Sequence, residues 1–292
     1  MSPSFTGVIT ALITPFKNGQ VDYESLEKLL DHQMDNGVDG FVVNGTTAES
    51  PTLSSEEVQS LFKFIKNRAG DRPLIVGTGT NSTASSIENT RQAKEMGADA
   101  SLVVCPYYNK PTQLGMYAHF KAVADAVNLP MILYNVPGRT VVSLTAETVG
   151  ELAKLSNVVG IKEASGDVNL LADIKARVPQ GFCLLSGDDG TCFDFFAQGG
   201  HGVISVMSHV LPAKTKTWLV EAQSGMKIND TDFAEHLDLI NALFCEPNPT
   251  PVKWALKRMG IIESAECRLP LLEFTEENQP RLESLMKKAA LI

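Results

Sequence analysis

Cysteine and basic residues are scarce in this sequence of 292 residues. The five cysteines are odd in number and include no CxxC pair, which argues against a disulfide framework and favours reduced thiols in a cytoplasmic protein. Lys and Arg total 25 against 34 Asp and Glu, and the net charge of −9 argues against a nucleic-acid partner. No stretch approaches the ~18 apolar residues of a membrane helix, and residues 1–7 lack the charged-then-apolar order of a signal peptide. We therefore expect neither a membrane nor a nucleic-acid partner.

Motifs that hold nucleotides or metals are missing or incomplete. Residues 77–82 (GTGTNS) follow an apolar run and precede a helical pattern, but they lack the third glycine of a dinucleotide-binding fingerprint. The histidines show neither HxxxH nor HExxH spacing; they are His32, His119, His201, His209 and His236. We therefore expect no organic cofactor and no metal ion.

Short apolar runs alternate with longer amphipathic stretches over most of the chain. Each run is apolar along its whole length, as in strands of a parallel sheet that is covered on both faces. The runs are residues 7–13, 40–44, 74–77, 100–105, 131–135, 158–162, 182–186 and 202–206. This repetition predicts an α/β fold, a closed (β/α)8 TIM barrel in preference to an open sheet, although periodicity does not itself establish closure.

The alternation stops near residue 225. Residues 229–244, 248–259 and 275–290 have helical patterns, and prolines separate them. We therefore predict two domains, a barrel domain of residues 1–224 and a C-terminal helical domain of residues 225–292.

Polar residues cluster where the predicted strands end, which is where barrel enzymes carry their active sites. The segments are GTTAES (45–50), PYYNKP (106–111), YNVPGRT (134–140), GIKEA (160–164) and SGDD (186–189). They bring together hydroxyl groups, one arginine and a lysine that ends a predicted strand.

Lys162 is the strongest catalytic candidate. It ends an apolar strand, where the side chain cannot easily reach solvent, and a desolvated amine is favoured as a nucleophile. Such amines attack carbonyl substrates to form Schiff bases. The alternative is a lysine that pairs with the neighbouring Glu163 at the rim of the barrel.

The other candidates have both a functional and a plain structural interpretation. Thr46 and Thr47 are suited to a carboxylate cradle or to an ordinary capped turn. Tyr134 is suited to proton transfer or to core packing, and Tyr108 to proton transfer or to rim packing. Arg139 is suited to bidentate carboxylate binding or to simple solvation.

Taken in order and spacing, GTTAES, YYNKP, YNVPGRT, GIKEA and SGDD resemble the dihydrodipicolinate synthase family over essentially the whole chain. This family belongs to the class I Schiff-base aldolases, which include the N-acetylneuraminate lyases. The resemblance implies a (β/α)8 barrel with a C-terminal helical domain and a homotetramer built from two tight dimers. It also implies the substrates pyruvate and L-aspartate 4-semialdehyde, in the diaminopimelate route of lysine biosynthesis.

The resemblance further implies roles for individual residues. Lys162 would form the imine with pyruvate, so that no separate cofactor is needed, and the Thr46–Thr47 turn would hold the pyruvate carboxylate. Tyr134 would be the general acid and base, linked by Thr46 to Tyr108 from across the tight-dimer interface. The remaining substrate contacts would come from Arg139, which binds the semialdehyde carboxylate, and from Gly187 and Ile204 along the pyruvate pocket.

The sequence departs from the family pattern in two places. Ala48 stands where glycine is usual, and it would strain the turn if that position required a positive φ. In the lysine-inhibited members, histidines and a carboxylate bind the inhibitor at the tight-dimer interface. Ser50, Asn81 and Tyr107 are retained here, but the histidine positions are Ser55 and Val58, and the acidic position is Ser85. We therefore expect weak or absent inhibition by L-lysine.

Two other functions remain open at this stage. One is a sugar-acid aldolase of the same family, acting on N-acetylneuraminate or 2-keto-3-deoxygluconate, although the arginine of the GRT loop fits a second carboxylate better than a polyol. The other is a non-catalytic metabolite-binding scaffold, which would not require the nucleophile Lys162.

Overall fold

A computed structural model describes residues 4–292 and shows an eight-stranded parallel barrel. The barrel strands are β1 (Gly7–Ala11), β4 (Gly40–Val43), β5 (Leu74–Gly77), β6 (Ala100–Val104), β7 (Met131–Asn135), β8 (Val158–Glu163), β9 (Cys183–Ser186) and β10 (Gly202–Ser205). The sheet is closed, with the strand order β1-β10-β9-β8-β7-β6-β5-β4. The predicted closure is therefore confirmed. Each predicted apolar run coincides with one barrel strand, and only β8 extends beyond its run, by one residue, to Glu163.

The helices between the barrel strands are α1 (Tyr23–Asp35), α2 (Ser55–Lys66), α3 (Thr83–Met96), α4 (Gln113–Ala126), α5 (Pro137–Thr140), α6 (Ala146–Leu152), α7 (Val168–Lys175) and α8 (Cys192–Ala197), with α9 (Pro212–Gln223) after β10. Six of them, α1, α2, α3, α4, α6 and α7, begin after a residue whose side chain caps the helix. Asp22 caps α1, and Ser54 and Glu57 form a complete capping box at the start of α2.

The C-terminal region is helical, as expected. Its helices are α10 (Phe233–Ala242), α11 (Thr250–Arg258) and α12 (Gln279–Lys288), each lying inside a predicted helical segment. The predicted domain boundary between residues 224 and 225 stays a prediction. No helix within residues 4–292 is long and apolar enough to cross a membrane.

One element was not expected. Strands β2 (Phe16–Lys17) and β3 (Gln20–Val21) form a small antiparallel hairpin, in which Phe16 pairs with Val21. Asn18 and Gly19 both have positive φ, 52° and 78°, at the turn. Asn-Gly is the common sequence for such a two-residue turn, so the signal was present in the sequence.

The described chain groups into two compact units by its internal contacts. The first unit comprises the described residues up to Gly7 together with Pro73–Ile204. The second unit comprises Val8–Arg72 and Ser205–Ile292. This grouping does not test the predicted boundary near residue 224.

In the first unit, the parallel ladder from β5 to β10 fixes the candidate residues relative to one another. Tyr134 on β7 pairs with Lys162 on β8, and Lys162 pairs with Leu185 on β9. One position further along, Asn135 pairs with Glu163, and Glu163 pairs with Ser186. Successive side chains of a strand point to opposite faces. Tyr134 and Lys162 therefore share one face, and Asn135 and Glu163 share the other.

Candidate active site

Lys162 lies at the C-terminal end of β8 and is only 7% exposed. Its Nζ atom lies 4.3 Å from the centre of the Tyr134 ring. Within the part of the chain that the structure describes, the ammonium group forms no ion pair and no hydrogen bond. The amine is thus buried beside an aromatic ring and is not occupied by another side chain, which is the state that a nucleophile requires.

Glu163 does not pair with Lys162, so the alternative interpretation of Lys162 as a rim ion pair is wrong. The carboxylate is buried and accepts hydrogen bonds from Asn135 Nδ2 at 2.8 Å and from the Ser165 amide at 2.6 Å. Burial raises the pKa of the Glu163 carboxyl above its ordinary value. The carboxyl therefore belongs to a network on the opposite face of the strand from Lys162.

Asn135 extends this network, which the sequence interpretation missed. Its Nδ2 also donates to Ser143 Oγ at 3.1 Å, and its Oδ1 accepts from the Leu144 amide at 3.0 Å. The network ties the chain after α5 to the ends of β7 and β8. The sequence did contain a signal for it. On each of two neighbouring strands a polar residue directly follows a catalytic candidate, Asn135 after Tyr134 and Glu163 after Lys162.

Gly187 follows β9 and leaves the space that the Lys162 side chain occupies. A Cβ atom at Gly187 would lie 2.6 Å from Lys162 Cε and 2.8 Å from Lys162 Cγ. These separations are far below van der Waals contact, so glycine is required while Lys162 keeps this position. Lys162, Tyr134 and Gly187 are therefore brought together by the first unit.

The other predicted residues of the first unit differ in exposure. Ile204 is buried on β10, directly after Val203, which pairs with Ser186. Arg139 is exposed on the short helix α5. Tyr108 is 87% exposed and has a φ of 73°. The Arg139 and Tyr108 side chains are therefore exposed to solvent and accessible to other molecules.

In the second unit, Thr46 and Thr47 begin a short 3₁₀ turn, Thr46–Ala48, which follows β4. Thr47 is buried, and its Oγ1 accepts a hydrogen bond of 2.9 Å from Asn248 Nδ2. The first amides of such a turn have no acceptor within the turn itself, so they are available as donors.

Alanine at position 48, where the family pattern has glycine, would be strained if its φ were positive. The structure shows no such strain at Ala48. The left-handed residue of this turn is Glu49, with φ 59° and ψ 40°, and Ala48 is not among the residues with positive φ. The Ala48 carbonyl accepts a hydrogen bond of 2.9 Å from Thr14 Oγ1. Alanine is therefore compatible with the conformation of the turn.

No group of three or more His, Cys, Asp or Glu side chains within residues 4–292 is arranged to hold a metal ion. Cys105 adjoins the network, and its Sγ lies 3.8 Å from Asn135 Oδ1. Burial raises the pKa of the Cys105 thiol to about 12, so the reactive thiolate form is disfavoured there.

A closed (β/α)8 barrel with a buried, unpaired lysine at a strand end defines a class of barrel proteins that present an amine to a carbonyl compound. Within that class, residues 4–289 match the model of the Dihydrodipicolinate synthetase family. The chain belongs to this family.

Relatives of known structure or function cover nearly the whole chain. The chain is 56% identical to a 4-hydroxy-tetrahydrodipicolinate synthase of Bdellovibrio bacteriovorus over 291 residues, which cover 99% of each chain. Its fold is similar to the crystal structure of dihydrodipicolinate synthase from Thermotoga maritima, with a TM-score of 0.94, 42% identity and 99% coverage of both chains. It is also similar to the dihydrodipicolinate synthase of Acinetobacter baumannii complexed with pyruvate, with a TM-score of 0.92, 43% identity, and coverage of 98% of this chain and 99% of that one.

Proposed function

We propose that this chain is a lyase that condenses pyruvate with L-aspartate 4-semialdehyde to give 4-hydroxy-tetrahydrodipicolinate, in the diaminopimelate route of lysine biosynthesis. The observation that carries this proposal is the buried Lys162 amine, which lies against the Tyr134 ring without an acidic partner. Membership of the family and the 56% identity to a synthase of this name support the choice of substrates.

The proposed reaction begins with the Lys162 amine attacking the C2 carbonyl of pyruvate. Loss of water gives an imine, and loss of a proton from C3 gives an enamine. The enamine carbon then attacks the aldehyde carbon of the semialdehyde, forming the new carbon–carbon bond. Finally the amino group of the semialdehyde adds to C2 and releases the Lys162 amine, which closes the ring. One water is released for each product formed.

Each of these steps moves a proton, and Tyr134 is the proposed acid and base. Its ring faces the lysine, so its hydroxyl belongs to the same face of the sheet as the imine. We further propose that Thr46 relays protons between Tyr134 and Tyr108 of a partner subunit, because Tyr108 is almost fully exposed in the single chain.

The proposed binding groups divide between the two substrates. Thr46 and Thr47 would hold the pyruvate carboxylate, with Gly187 and Ile204 beside pyruvate, and the exposed guanidinium of Arg139 would bind the semialdehyde carboxylate. No cofactor is required, because the imine that pyruvate forms with Lys162 serves as the electron sink. We also propose a cytoplasmic homotetramer, a dimer of dimers, which sedimentation analysis would test.

Borohydride reduction after pyruvate addition tests the proposal directly. The enzyme should become covalently labelled, and peptide mass mapping should place the label on Lys162. The Lys162→Ala variant should not be labelled and should lose several orders of magnitude in turnover, while its circular dichroism stays unchanged. Lys154→Ala is a matched control, since Lys154 is exposed and pairs with Glu151.

Label at another lysine, or normal turnover of folded Lys162→Ala, would contradict the proposal. The substrate is tested in parallel by comparing turnover of L-aspartate 4-semialdehyde with pyruvate against cleavage of N-acetylneuraminate and 2-keto-3-deoxygluconate. Faster cleavage of either sugar acid would favour the sugar-acid aldolase.

A further inference from the structure

The turn that carries Thr46 and Thr47 is anchored by a buried ion pair. Glu49, directly after the turn, is 2% exposed and adopts the left-handed conformation. Its Oε1 accepts a hydrogen bond from Lys253 Nζ on α11, and its Oε2 accepts one of 2.8 Å from the Arg268 amide. A non-glycine residue with positive φ persists only where its surroundings fix it. The C-terminal segment supplies that fixation here.

Lys253 is itself held from several sides. It is fully buried, its Nζ donates to the Glu266 carbonyl at 2.8 Å, and it lies 4.3 Å from the centre of the Phe16 ring. Burial lowers the pKa of the Lys253 amine, although Glu49 acts in the opposite direction. With this side chain held in place, the backbone of the turn has a fixed position relative to the start of α11.

Asn248, two residues before α11, reaches back to the turn. It is 7% exposed, and its Nδ2 donates to Thr47 Oγ1 at 2.9 Å. A threonine hydroxyl has one proton and two acceptor lone pairs. Because the Asn248 amide occupies one lone pair, the hydroxyl proton of Thr47 points away from Asn248 and remains free to donate elsewhere.

We infer that Asn248 is a positioning residue for the first substrate: it orients the Thr47 hydroxyl so that its proton is directed at the carboxylate of pyruvate. The inference rests on the proposed function, and it assigns to the C-terminal segment a part in substrate binding. Asn248 acts only through Thr47 and does not touch the substrate.

The test measures the pyruvate concentration that gives half-maximal borohydride trapping, which needs no second substrate. Asn248→Ala should raise this concentration about tenfold, as expected for one lost hydrogen bond to a charged group. Asn248→Asp should raise it further, because a carboxylate only accepts and would draw the Thr47 proton toward itself. A purely structural role predicts the opposite order, since aspartate keeps the shape of asparagine and alanine leaves a cavity.

The second measurement tests whether Asn248 acts through Thr47, by combining substitutions at the two residues. In a Thr47→Val background, which lacks the hydroxyl, Asn248→Ala should cause no further rise in the half-trapping concentration. Asn278→Ala is the matched control, since it removes another C-terminal amide donor, one that binds Glu246 Oε1 at 2.8 Å. This control should trap pyruvate at the wild-type concentration.

Two results would overturn the inference. One is that Asn248→Ala raises the half-trapping concentration equally in the wild-type and Thr47→Val backgrounds. The other is that the aspartate variant is half-trapped at a lower pyruvate concentration than the alanine variant. If Asn248→Ala does not fold, as judged by circular dichroism, Asn248→Asp is compared in the wild-type and Thr47→Val backgrounds instead. The inference then requires that Asn248→Asp raises the half-trapping concentration only where Thr47 is present. The proposed function fails separately, when wild-type enzyme is not labelled at Lys162. The inference fails when wild type is labelled and the folded Asn248 variants reach half-maximal trapping at the same pyruvate concentration as wild type.

Discussion

Gly187 and Lys162 lie so close that a single methyl group on the glycine would occupy the volume of the lysine side chain. Such a methyl would lie 2.6 Å from Lys162 Cε and 2.7 Å from Ala164 Cβ. The family resemblance implied that Gly187 lines the pyruvate pocket. The structure adds a steric reason for glycine at this position, which is that it permits Lys162 to lie across the end of β9.

Gly187→Ala should displace the Lys162 side chain and slow imine formation. The new methyl should also cost about 1–3 kcal/mol of stability, because overpacking forces neighbours out of their favoured positions. Trapping rates at saturating pyruvate and urea unfolding measure the two effects. Gly138→Ala is the stability control, since a Cβ at Gly138 meets nothing within 4 Å. Unchanged trapping by Gly187→Ala would show that imine formation does not depend on this placement of Lys162.

Arg139→Ala should weaken binding of L-aspartate 4-semialdehyde and leave pyruvate trapping intact. The guanidinium is exposed on α5, and one charge-assisted carboxylate contact contributes about 1.5–3 kcal/mol, or at least a tenfold rise in KM for the semialdehyde. Steady-state kinetics with each substrate varied in turn measure this. Arg281→Ala, at an exposed arginine on α12, should change neither KM. Loss of trapping in Arg139→Ala would instead place this residue at the pyruvate site.

L-lysine should inhibit weakly or not at all. Ser85 lies exposed in the first turn of α3, which contains no acidic residue. If lysine binds where the family resemblance implies, its ammonium groups would therefore lack a charged partner on this turn. Loss of one charge-assisted bond corresponds to at least about a tenfold loss of affinity. A steady-state titration with L-lysine measures this, and Ser85→Glu should increase sensitivity. Half-inhibition of wild type at sub-millimolar lysine would show that another carboxylate replaces the missing one.

Stability should fall as the pH is lowered from about 6.5 toward 4, in part because of His209. This residue is fully buried; its Nδ1 lies 2.8 Å from the Val206 carbonyl and its Nε2 lies 3.2 Å from the Ile13 amide. Burial lowers the pKa of His209 from 6.5 to about 4. The unfolded chain therefore binds the proton more readily than the folded chain does. Each unit by which the pH falls in this range lowers the free energy of unfolding by up to about 1.4 kcal/mol.

Urea unfolding of wild type and His209→Gln between pH 7.5 and 4.5 measures this contribution. The variant should have a shallower dependence of unfolding free energy on pH, whatever its absolute stability. Parallel slopes for wild type and His209→Gln would mean that other groups account for the whole acid sensitivity.

The order of secondary structure elements could be predicted from the sequence alone. Continuous apolar runs such as 131–135 and 202–206 predict buried parallel strands, because only a sheet covered on both faces excludes water from every residue of a strand. The candidate Lys162 was identified for the same reason, since a charged residue that ends such a run stands out. The Asn18-Gly19 hairpin was also encoded locally and was overlooked, because its strands are only two residues long.

The tertiary structure decided which polar groups are partners, because hydrogen bonds depend on three-dimensional proximity and not on spacing along the chain. Glu163 is adjacent to Lys162 in sequence, but the alternation of a strand directs it to the opposite face, where Asn135 binds it. Asn248 lies 201 residues from Thr47 and still donates to its hydroxyl. Glu49 and Lys253 are separated by 204 residues and form one buried pair. Local patterns thus determined where strands and turns form, whereas the contacts that fix the Thr47 hydroxyl and leave the Lys162 amine unpaired arise only when distant segments pack together.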